Sequence, residues 1–223
     1  MPGIDAIIFD MDGVLCDSEP FILEAAIQMF RETYGVEIAP EAFTPYVGTG
    51  EDRYLGGPAA EAGVSLALPR DKERTYHIYL ELIVGRMPAL PGVHDFTAAA
   101  RQHGIKIAVA SAADRMKVDG NLREIGLGND HFDAVITGSD VNRKKPAPDG
   151  FLLAAKRMGA DPARCLVVED AINGVEAALA AGARCLGLST SFAPERLQAA
   201  GAHWTAPNLA DVPEPLVRVL GFA

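Results

Sequence analysis

A short apolar segment that ends in two aspartates constrains this chain more than any other part of its sequence. Ala6–Phe9 carries two isoleucines and an aromatic residue, and Asp10, Asp12 and Gly13 follow it. The run is too short for a helix, so we predict a strand buried on both faces of a parallel sheet. Because side chains alternate along a strand, both carboxylates should project from the same side of its end, where Gly13 permits a tight turn.

Two carboxylates at the end of a buried strand need a counter-charge. At a separation of about 4 Å and an effective dielectric constant near 20, two like charges repel by roughly 4 kcal/mol. A cation or a shared proton removes this repulsion. Oxygen ligands grouped around a carboxylate pair suit a small hard cation, so Asp10 and Asp12 predict a magnesium site.

Length and charge narrow the class of protein. The 223 residues suffice for one compact domain, or for a core domain with a smaller insert. The 30 Asp and Glu residues outnumber the 20 Lys and Arg residues, and no dense basic run occurs, so we expect no nucleic-acid partner. No apolar run approaches the roughly 18 residues of a membrane span. We therefore expect a soluble protein without membrane insertion or a visible targeting segment.

The cysteine content favours a reducing intracellular compartment. Cys16, Cys165 and Cys185 are an odd number, in a chain long enough to fold without disulfides. Cys16 lies four residues beyond Asp12, so redox control at this position is a further hypothesis.

The chain divides into a helical block and an alternating part. Helical patterns at residues 18–34, 40–47, 52–63 and 69–87 predict an all-helical block, which ends at the Pro- and Gly-rich residues 88–92. After it, short strands at residues 105–111, 134–137, 165–169 and 185–188 alternate with helices. This alternation predicts an α/β fold with a parallel sheet, whose ligand lies at the carboxyl ends of the strands.

Polar residues interrupt the apolar pattern at four places where such a ligand would lie. They fall in Asp10-x-Asp12-Gly13-Val14-Leu15, in Ser111 after Val109-Ala110, in Lys145-Pro146-Ala147-Pro148-Asp149, and in Glu169-Asp170 followed by Asn173-Gly174. One such segment is a weak signal, but four in this order are specific. Together they resemble the haloacid-dehalogenase-like (HAD) superfamily of phosphotransferases. The resemblance covers essentially the whole chain, and it implies a Rossmann-like core of residues 1–17 and 89–223 with a helical cap of residues 18–88.

The resemblance also implies catalytic roles. Asp10 matches the aspartate that attacks phosphorus, giving an aspartyl phosphate. Asp12 matches the residue that protonates the leaving oxygen and then activates water. Lys145 would bridge Asp10 and the phosphoryl oxygens, while Ser111 and the backbone amide of Ala112 would hold those oxygens.

The same resemblance implies Mg²⁺ as the cofactor. Its ligands would be Asp10, the backbone carbonyl of Asp12, and Asp170. Glu169 is expected beside the ion, either as a direct ligand or through a water molecule.

Several of these residues have structural alternatives. Ser111 alone would suit a turn. Lys145 follows Arg143 and Lys144 and could be one of three solvated charges, with Lys144 as the second candidate. Glu169-Asp170 could cap a helix, which is compatible with metal binding.

Within the superfamily, the chain looks most like the β-phosphoglucomutase-like phosphatases, a subgroup that also contains mutases. The mutases carry a histidine and an arginine in the cap, and the corresponding places here are Ile22 and Gly50. This difference argues for hydrolysis rather than a mutase reaction. Candidate substrate contacts in the cap are Gly48, Thr49, Glu51 and Arg53.

The expected function is a Mg²⁺-dependent phosphatase of a small phosphorylated metabolite. The alternative is a regulatory or interaction domain with little turnover, because the cap offers few polar side chains; a phosphosugar mutase is the third choice. Residues 47–51 and 109–119 resemble the HAD domain of a chloroplast protein. This resemblance implies one domain of a longer protein, in the chloroplast stroma or alternatively the cytoplasm. A monomer is expected because the cap needs freedom to move.

Overall fold

The core of the molecule is a parallel β-sheet with the first strand near its centre. A computed structural model describes residues 3–48 and 50–222. Its six strands follow the order β3-β2-β1-β4-β5-β6, and every neighbouring pair is parallel. The strands are β1 (Ala6–Phe9), β2 (Lys106–Ala110), β3 (Ala134–Ile136), β4 (Cys165–Glu169), β5 (Arg184–Leu188) and β6 (Trp204–Ala206). The predicted α/β fold with a Rossmann-like parallel sheet is confirmed.

Helices cover both faces of this sheet. They are α1 (Glu19–Tyr34), α2 (Glu51–Glu61), α3 (Leu68–Ile83), α4 (Val93–Gln102), α5 (Arg115–Glu124), α6 (Asp149–Met158), α7 (Ile172–Ala180), α8 (Pro194–Ala199) and α9 (Glu214–Leu220). Short 3₁₀ helices span Pro40–Tyr46, Asn129–His131 and Pro162–Arg164.

Strand β1 separates two hydrophobic clusters. Ile7 and Phe9 pack on one face with residues of α4, α5 and α9, and this cluster continues into the helices that follow β1. Ala6 and Ile8 pack on the other face with residues of α6, α7 and α8. All four residues are at most 1% exposed, as expected for a strand that is buried on both sides.

The predicted helical block is formed by α1, the 3₁₀ helix Pro40–Tyr46, α2 and α3, and we call residues 18–88 the helical insert. Helix α1 ends at Gly35, whose φ of 66° suits a left-handed C-cap. The segment after it is a 3₁₀ helix rather than an α-helix, and it contains Pro45. Helix α3 ends at Ile83, four residues before the predicted end at residue 87. That the insert is a separate cap domain remains a prediction.

The insert contacts the core mainly where α3 packs against α5. The Tyr79 hydroxyl donates to Asn121 Oδ1 at 2.5 Å, and the Gly85 backbone N–H donates to Glu124 Oε1 at 2.6 Å. A Cβ atom at Gly120 would lie 2.2 Å from Leu80 Cδ2, so this glycine lets the two helices approach closely. Helix α3 is therefore held against the core along much of its length.

The sequence patterns miss β6. This strand has only three residues, and two of them, Trp204 and Thr205, are half-buried. It pairs with β5 alone, at the edge of the sheet. An edge strand of this length carries no continuous apolar run, so hydrophobic patterning does not distinguish it from a loop.

No helix within residues 3–48 and 50–222 combines sufficient length with sufficient apolar content to cross a bilayer.

We predict that Gly92→Ala destabilises the fold much more than Gly104→Ala. Both glycines have positive φ, 82° and 72°. A Cβ at Gly92 would lie 2.1 Å from the backbone nitrogen of Ala210, whereas a Cβ at Gly104 would meet nothing within 4 Å. We expect Gly92→Ala to lower the free energy of unfolding by about 3 kcal/mol or more, and Gly104→Ala by about 1–2 kcal/mol. Urea denaturation measures both; equal losses would contradict the predicted clash.

Candidate active site

A cavity of about 770 Å³ lies at the carboxyl ends of the central strands and beside the helical insert. The sheet contributes Asp10 after β1, Ser111 after β2 and Glu169 at the end of β4. The insert contributes Ile22 from α1 and Tyr54 from α2. Strand β1 lies between β2 and β4, so the strand order reverses here, as is typical of ligand sites in open parallel sheets.

Lys145 joins two carboxylates at the base of this cavity. Its ammonium group donates to Asp10 Oδ1 and to Glu169 Oε1. Burial lowers the pKa of Lys145, but the charges of Asp10 and Glu169 outweigh burial and raise it above its ordinary value. Lys145 is therefore a half-buried cation, while Lys144 is exposed.

Glu169 has both carboxylate oxygens engaged. Oε1 accepts from Lys145, and Oε2 accepts from the backbone N–H groups of Asp170 and Ala171, each at 2.9 Å. A Cβ atom at Gly174 would lie 1.9 Å from Glu169 Oε1, so a larger residue in α7 would displace the carboxylate. Glu169 thus orients Lys145 and the turn after β4.

Asp12 is held from two directions. Its Oδ1 accepts from the Ser18 hydroxyl, and its Oδ2 accepts from Lys117 Nζ at 3.1 Å. Ser18 precedes α1 but makes no side-chain capping bond, because its hydroxyl faces Asp12 instead. Lys117 Nζ also lies 3.8 Å from Glu51 Oε1 in the insert. Lys117 therefore connects the core, Asp12 and the insert.

Asp170 lies beside the first turn of the chain after β1. Its Oδ2 accepts from the Ser191 hydroxyl, and a Cβ at Gly13 would lie 2.0 Å from that oxygen. Burial, and then the charge of Glu169, raise the pKa of Asp170 to about 7. Burial also raises the pKa of Asp10 well above its ordinary value, although Lys145 opposes this. The site therefore has more negative charge than its lysine can neutralise.

This charge excess and the donor types fit a magnesium ion. No three His, Cys, Asp or Glu side chains form a metal cluster within residues 3–48 and 50–222. Magnesium, however, is usually held by one or two carboxylates, with waters and substrate phosphate completing its shell. Asp10 and Asp170, with the backbone carbonyl of Asp12, would meet that requirement. Glu169 is less available because both of its oxygens are engaged.

The candidate phosphate-binding residues Ser111 and Ala112 both line the cavity. The Ser111 side chain is buried, and its Oγ accepts from the Ala113 backbone N–H at 3.1 Å. A Cβ at Gly138 would lie 2.2 Å from the Ala112 carbonyl oxygen, so the loop after β3 runs directly behind this turn.

Only some of the candidate substrate residues line the cavity. Gly48 and Glu51 line the cavity. Arg53 is exposed on α2 and does not line it, and Thr49 lies outside the described residues. Glu51 is the buried member of the set, with 8% of its surface exposed.

Sequence reasoning missed several side chains of the cavity. The most consequential are Glu19, Tyr54, Lys117 and Ser191, together with Ser18, which contacts Asp12 from behind the cavity lining. Lys117 resembles a solvated lysine on a helix, and nothing in its spacing marks it as buried. Ser18 and Glu19 match a helix start, which concealed the contact of Ser18 with Asp12.

Cys16 is fully buried in the turn after β1. Burial, and then the charge of Asp12, raise the pKa of this thiol well above its ordinary value. Because the thiolate is the reactive form, this environment disfavours the redox hypothesis.

Comparisons with known proteins identify relatives across most of the chain. SUPPRESSOR OF QUENCHING 1, a chloroplastic protein of Arabidopsis thaliana, is 40% identical over 212 residues, which cover 94% of this chain but only 20% of that protein. Fructose-1-phosphate phosphatase YqaB of Escherichia coli is 34% identical over 185 residues, covering 79% of this chain and 92% of that protein.

A solved structure shares the fold. A CbbY variant from Rhodobacter sphaeroides, in complex with xylulose-(1,5)bisphosphate, has a TM-score of 0.80 and 25% identity, covering 93% of this chain and 95% of that chain. A family model described as haloacid dehalogenase-like hydrolase matches residues 4–182. The chain therefore belongs to the haloacid dehalogenase-like hydrolase family.

Proposed function

We propose that this protein is a Mg²⁺-dependent phosphatase that hydrolyses a small phosphorylated metabolite through an aspartyl-phosphate intermediate. The observation that carries the proposal is the contact of Lys145 with both Asp10 and Glu169, in a cavity where Ser18 and Lys117 hold Asp12. This arrangement supplies a buried nucleophile candidate, a counter-charge and an oriented second carboxylate for proton transfer.

The enzyme class is a phosphoric monoester hydrolase. It agrees with the family of the chain and with relatives whose names describe phosphatases, such as the fructose-1-phosphate phosphatase of Escherichia coli. The small phosphorylated sugars in such names support a small phosphorylated metabolite as the substrate of this chain.

In the first half of the proposed reaction, a carboxylate oxygen of Asp10 forms a bond to phosphorus. The bond from phosphorus to the ester oxygen breaks, and Asp12 gives that oxygen a proton. In the second half, Asp12 takes a proton from water, which attacks phosphorus and releases phosphate and the Asp10 carboxylate. Ser18 and Lys117 orient Asp12 for both transfers, while Lys145 offsets negative charge beside Asp10.

Magnesium, when bound, would lower the repulsion between the Asp10 carboxylate and the anionic phosphoryl group. Asp10, Asp170 and the Asp12 carbonyl are the proposed ligands, and Glu169 is proposed as their neighbour. Ser111 and the Ala112 amide would hold the phosphoryl oxygens, as both residues line the cavity.

The helical insert is proposed to act as a cap that excludes bulk water from the reaction. Residues of the insert and of the core line the same cavity, which supports this role. Ile22 and Gly50 also line it, at the places where the related mutases carry a histidine and an arginine. Isoleucine and glycine supply neither an imidazole nor a guanidinium group, which favours hydrolysis over a mutase reaction.

A regulatory domain with little turnover is the second candidate. It is favoured by the 20% share of the Arabidopsis relative that the match covers, because such a domain could act on other parts of a longer protein.

The same relative supports the chloroplast stroma as the proposed location, with the cytoplasm as the alternative. Rapid Mg²⁺-dependent hydrolysis of any one phosphorylated metabolite would reject the regulatory candidate.

We predict that Asp10→Asn lowers kcat for a generic aryl phosphate by at least about 1,000-fold, because an amide does not replace the attacking carboxylate. The Tm is expected to change by less than about 5 °C, since the substitution preserves side-chain volume. Steady-state kinetics and thermal unfolding test both statements. Asp130→Asn, at an exposed position outside the cavity, is the matched control and should keep full activity. Substantial turnover by Asp10→Asn would refute the nucleophile assignment.

We predict that metal-free protein loses stability as the pH rises from about 4 to about 7. The pKa of Asp170 lies near 7 in the folded protein, against an ordinary value of 3.8. Between these values the folded state binds more protons than the unfolded state, so the free energy of unfolding falls with pH. Asp170→Asn should flatten this dependence and should exceed the wild-type stability at pH 8 in EDTA.

The same two proteins test the metal site. At pH 8, added Mg²⁺ should raise the Tm of the wild type and leave Asp170→Asn nearly unchanged, because binding to the folded state adds stability. Parallel pH dependences, or equal stabilisation of both proteins by Mg²⁺, would contradict the proposed role of Asp170.

A further inference from the structure

The basic side chains of the cavity are already engaged. Among the described residues, Lys117 and Lys145 are the only basic residues that line it. Lys145 contacts Asp10 and Glu169, and Lys117 contacts Asp12 at 3.1 Å and a carboxylate of the insert at 3.8 Å. Each lysine therefore lies between two carboxylates, and neither is free to bind a second anionic group of a substrate.

The wall that the insert contributes is acidic and hydroxylic. Glu19 from α1, with Glu51 and Tyr54 from α2, lines the cavity on this side. Glu51 is 8% exposed and Tyr54 is 4% exposed. A carboxylate accepts hydrogen bonds, and a phenol both donates and accepts them. This wall suits hydroxyl groups.

Tyr54 adds a hydroxyl group beside these carboxylates. Its hydroxyl oxygen is buried and lies within hydrogen-bonding reach of Glu19. Burial, followed by the charge of the neighbouring Glu19, raises the pKa of the phenol, so the group is a neutral donor. A ligand hydroxyl would complete the hydrogen bonding of this buried phenol and of the carboxylate beside it.

We infer that Glu19, Glu51 and Tyr54 form a specificity site for the part of the substrate that is not the scissile phosphate. The site accepts an uncharged group that carries hydroxyls, and it rejects a second phosphate or a carboxylate. The inference rests on the proposed function, since it concerns the substrate of the same cavity. Its physical basis is repulsion between like charges in a partly buried site whose two lining lysines are already paired with carboxylates.

The inference separates this chain from a structural relative. The CbbY variant of similar fold was solved with a ligand that carries two phosphates. A second phosphate in the present cavity would meet the carboxylates of Glu19 and Glu51, and the nearest cation, Lys117, is shared between Glu51 and Asp12. Likeness of fold therefore does not extend to this ligand class.

The test compares two pairs of compounds with the full chain and Mg²⁺. Fructose 1-phosphate is compared with fructose 1,6-bisphosphate, and glycerol 3-phosphate with 3-phosphoglycerate, through initial rates of phosphate release. We expect kcat/KM to be at least tenfold higher for the member of each pair without the second anion. Equal values, or higher values for the doubly anionic member, would overturn the inference.

Substitutions in the acidic wall test whether its carboxylates cause the preference for the compounds without a second anion. Glu51→Gln removes a negative charge and releases Lys117 from one partner, so the preference within each pair should fall at least threefold; Glu19→Gln should act in the same direction. Glu81→Gln, at an exposed position of α3 outside the cavity, is the matched control and should keep the preference. An unchanged preference in both wall variants would refute the assignment.

Failure of the specificity site and failure of the proposed phosphatase activity give different results. If neither these compounds nor a generic aryl phosphate is hydrolysed, the phosphatase proposal fails, and the same pairs are compared by the calorimetric Kd for the protein with Mg²⁺. Weaker binding of the doubly anionic members would still support the specificity site. Equal or tighter binding would overturn it.

Discussion

The charge balance around Lys145 is the constraint on which the active site depends. A lysine at this depth stays charged only with anionic partners, and Asp10 and Glu169 provide them from the ends of two adjacent strands. Glu169 in turn accepts from the backbone of the turn after β4, which carries Asp170. One ammonium group thereby fixes the relative positions of three segments that are distant in sequence.

A second lysine extends the same principle toward the helical insert. Lys117 neutralises Asp12 and approaches Glu51, while Ser18, at the start of the insert, donates to the other oxygen of Asp12. Asp12 is consequently oriented by groups from both sides of the cavity. The packing of α3 against α5 stabilises this arrangement, because Lys117 belongs to α5.

The features that depend on a local sequence pattern could be predicted from the sequence alone. Strand β1 was predictable because its residues are uniformly apolar and end in acids, and the four motifs lie at one end of the sheet because parallel strands align their carboxyl ends. Lys117 and Tyr54 were not predictable, since burial of a helical lysine or tyrosine depends on which helix packs opposite. For Lys117 the opposite helix is α3, which lies tens of residues away in sequence and places the Tyr79 ring 5.8 Å from Lys117 Nζ. Edge strand β6 has too few apolar residues for its pattern to be distinctive.

The two faces of β1 differ in the size of the side chains that surround them. The face toward α6 and α7 includes four small strand residues, Ala6, Ala108, Ala110 and Ala134, beside the larger Ile8, Ile136 and Val167. The face toward α4 and the insert carries larger ones, namely Ile7, Phe9, Ile107 and Val109. The four alanines are at most 7% exposed, so enlargement is the damaging change at those positions. On the opposite face truncation is the damaging change, because it leaves a void. Substitution in this sheet is thus restricted in opposite directions at adjacent positions of one strand, such as Ala6 and Ile7.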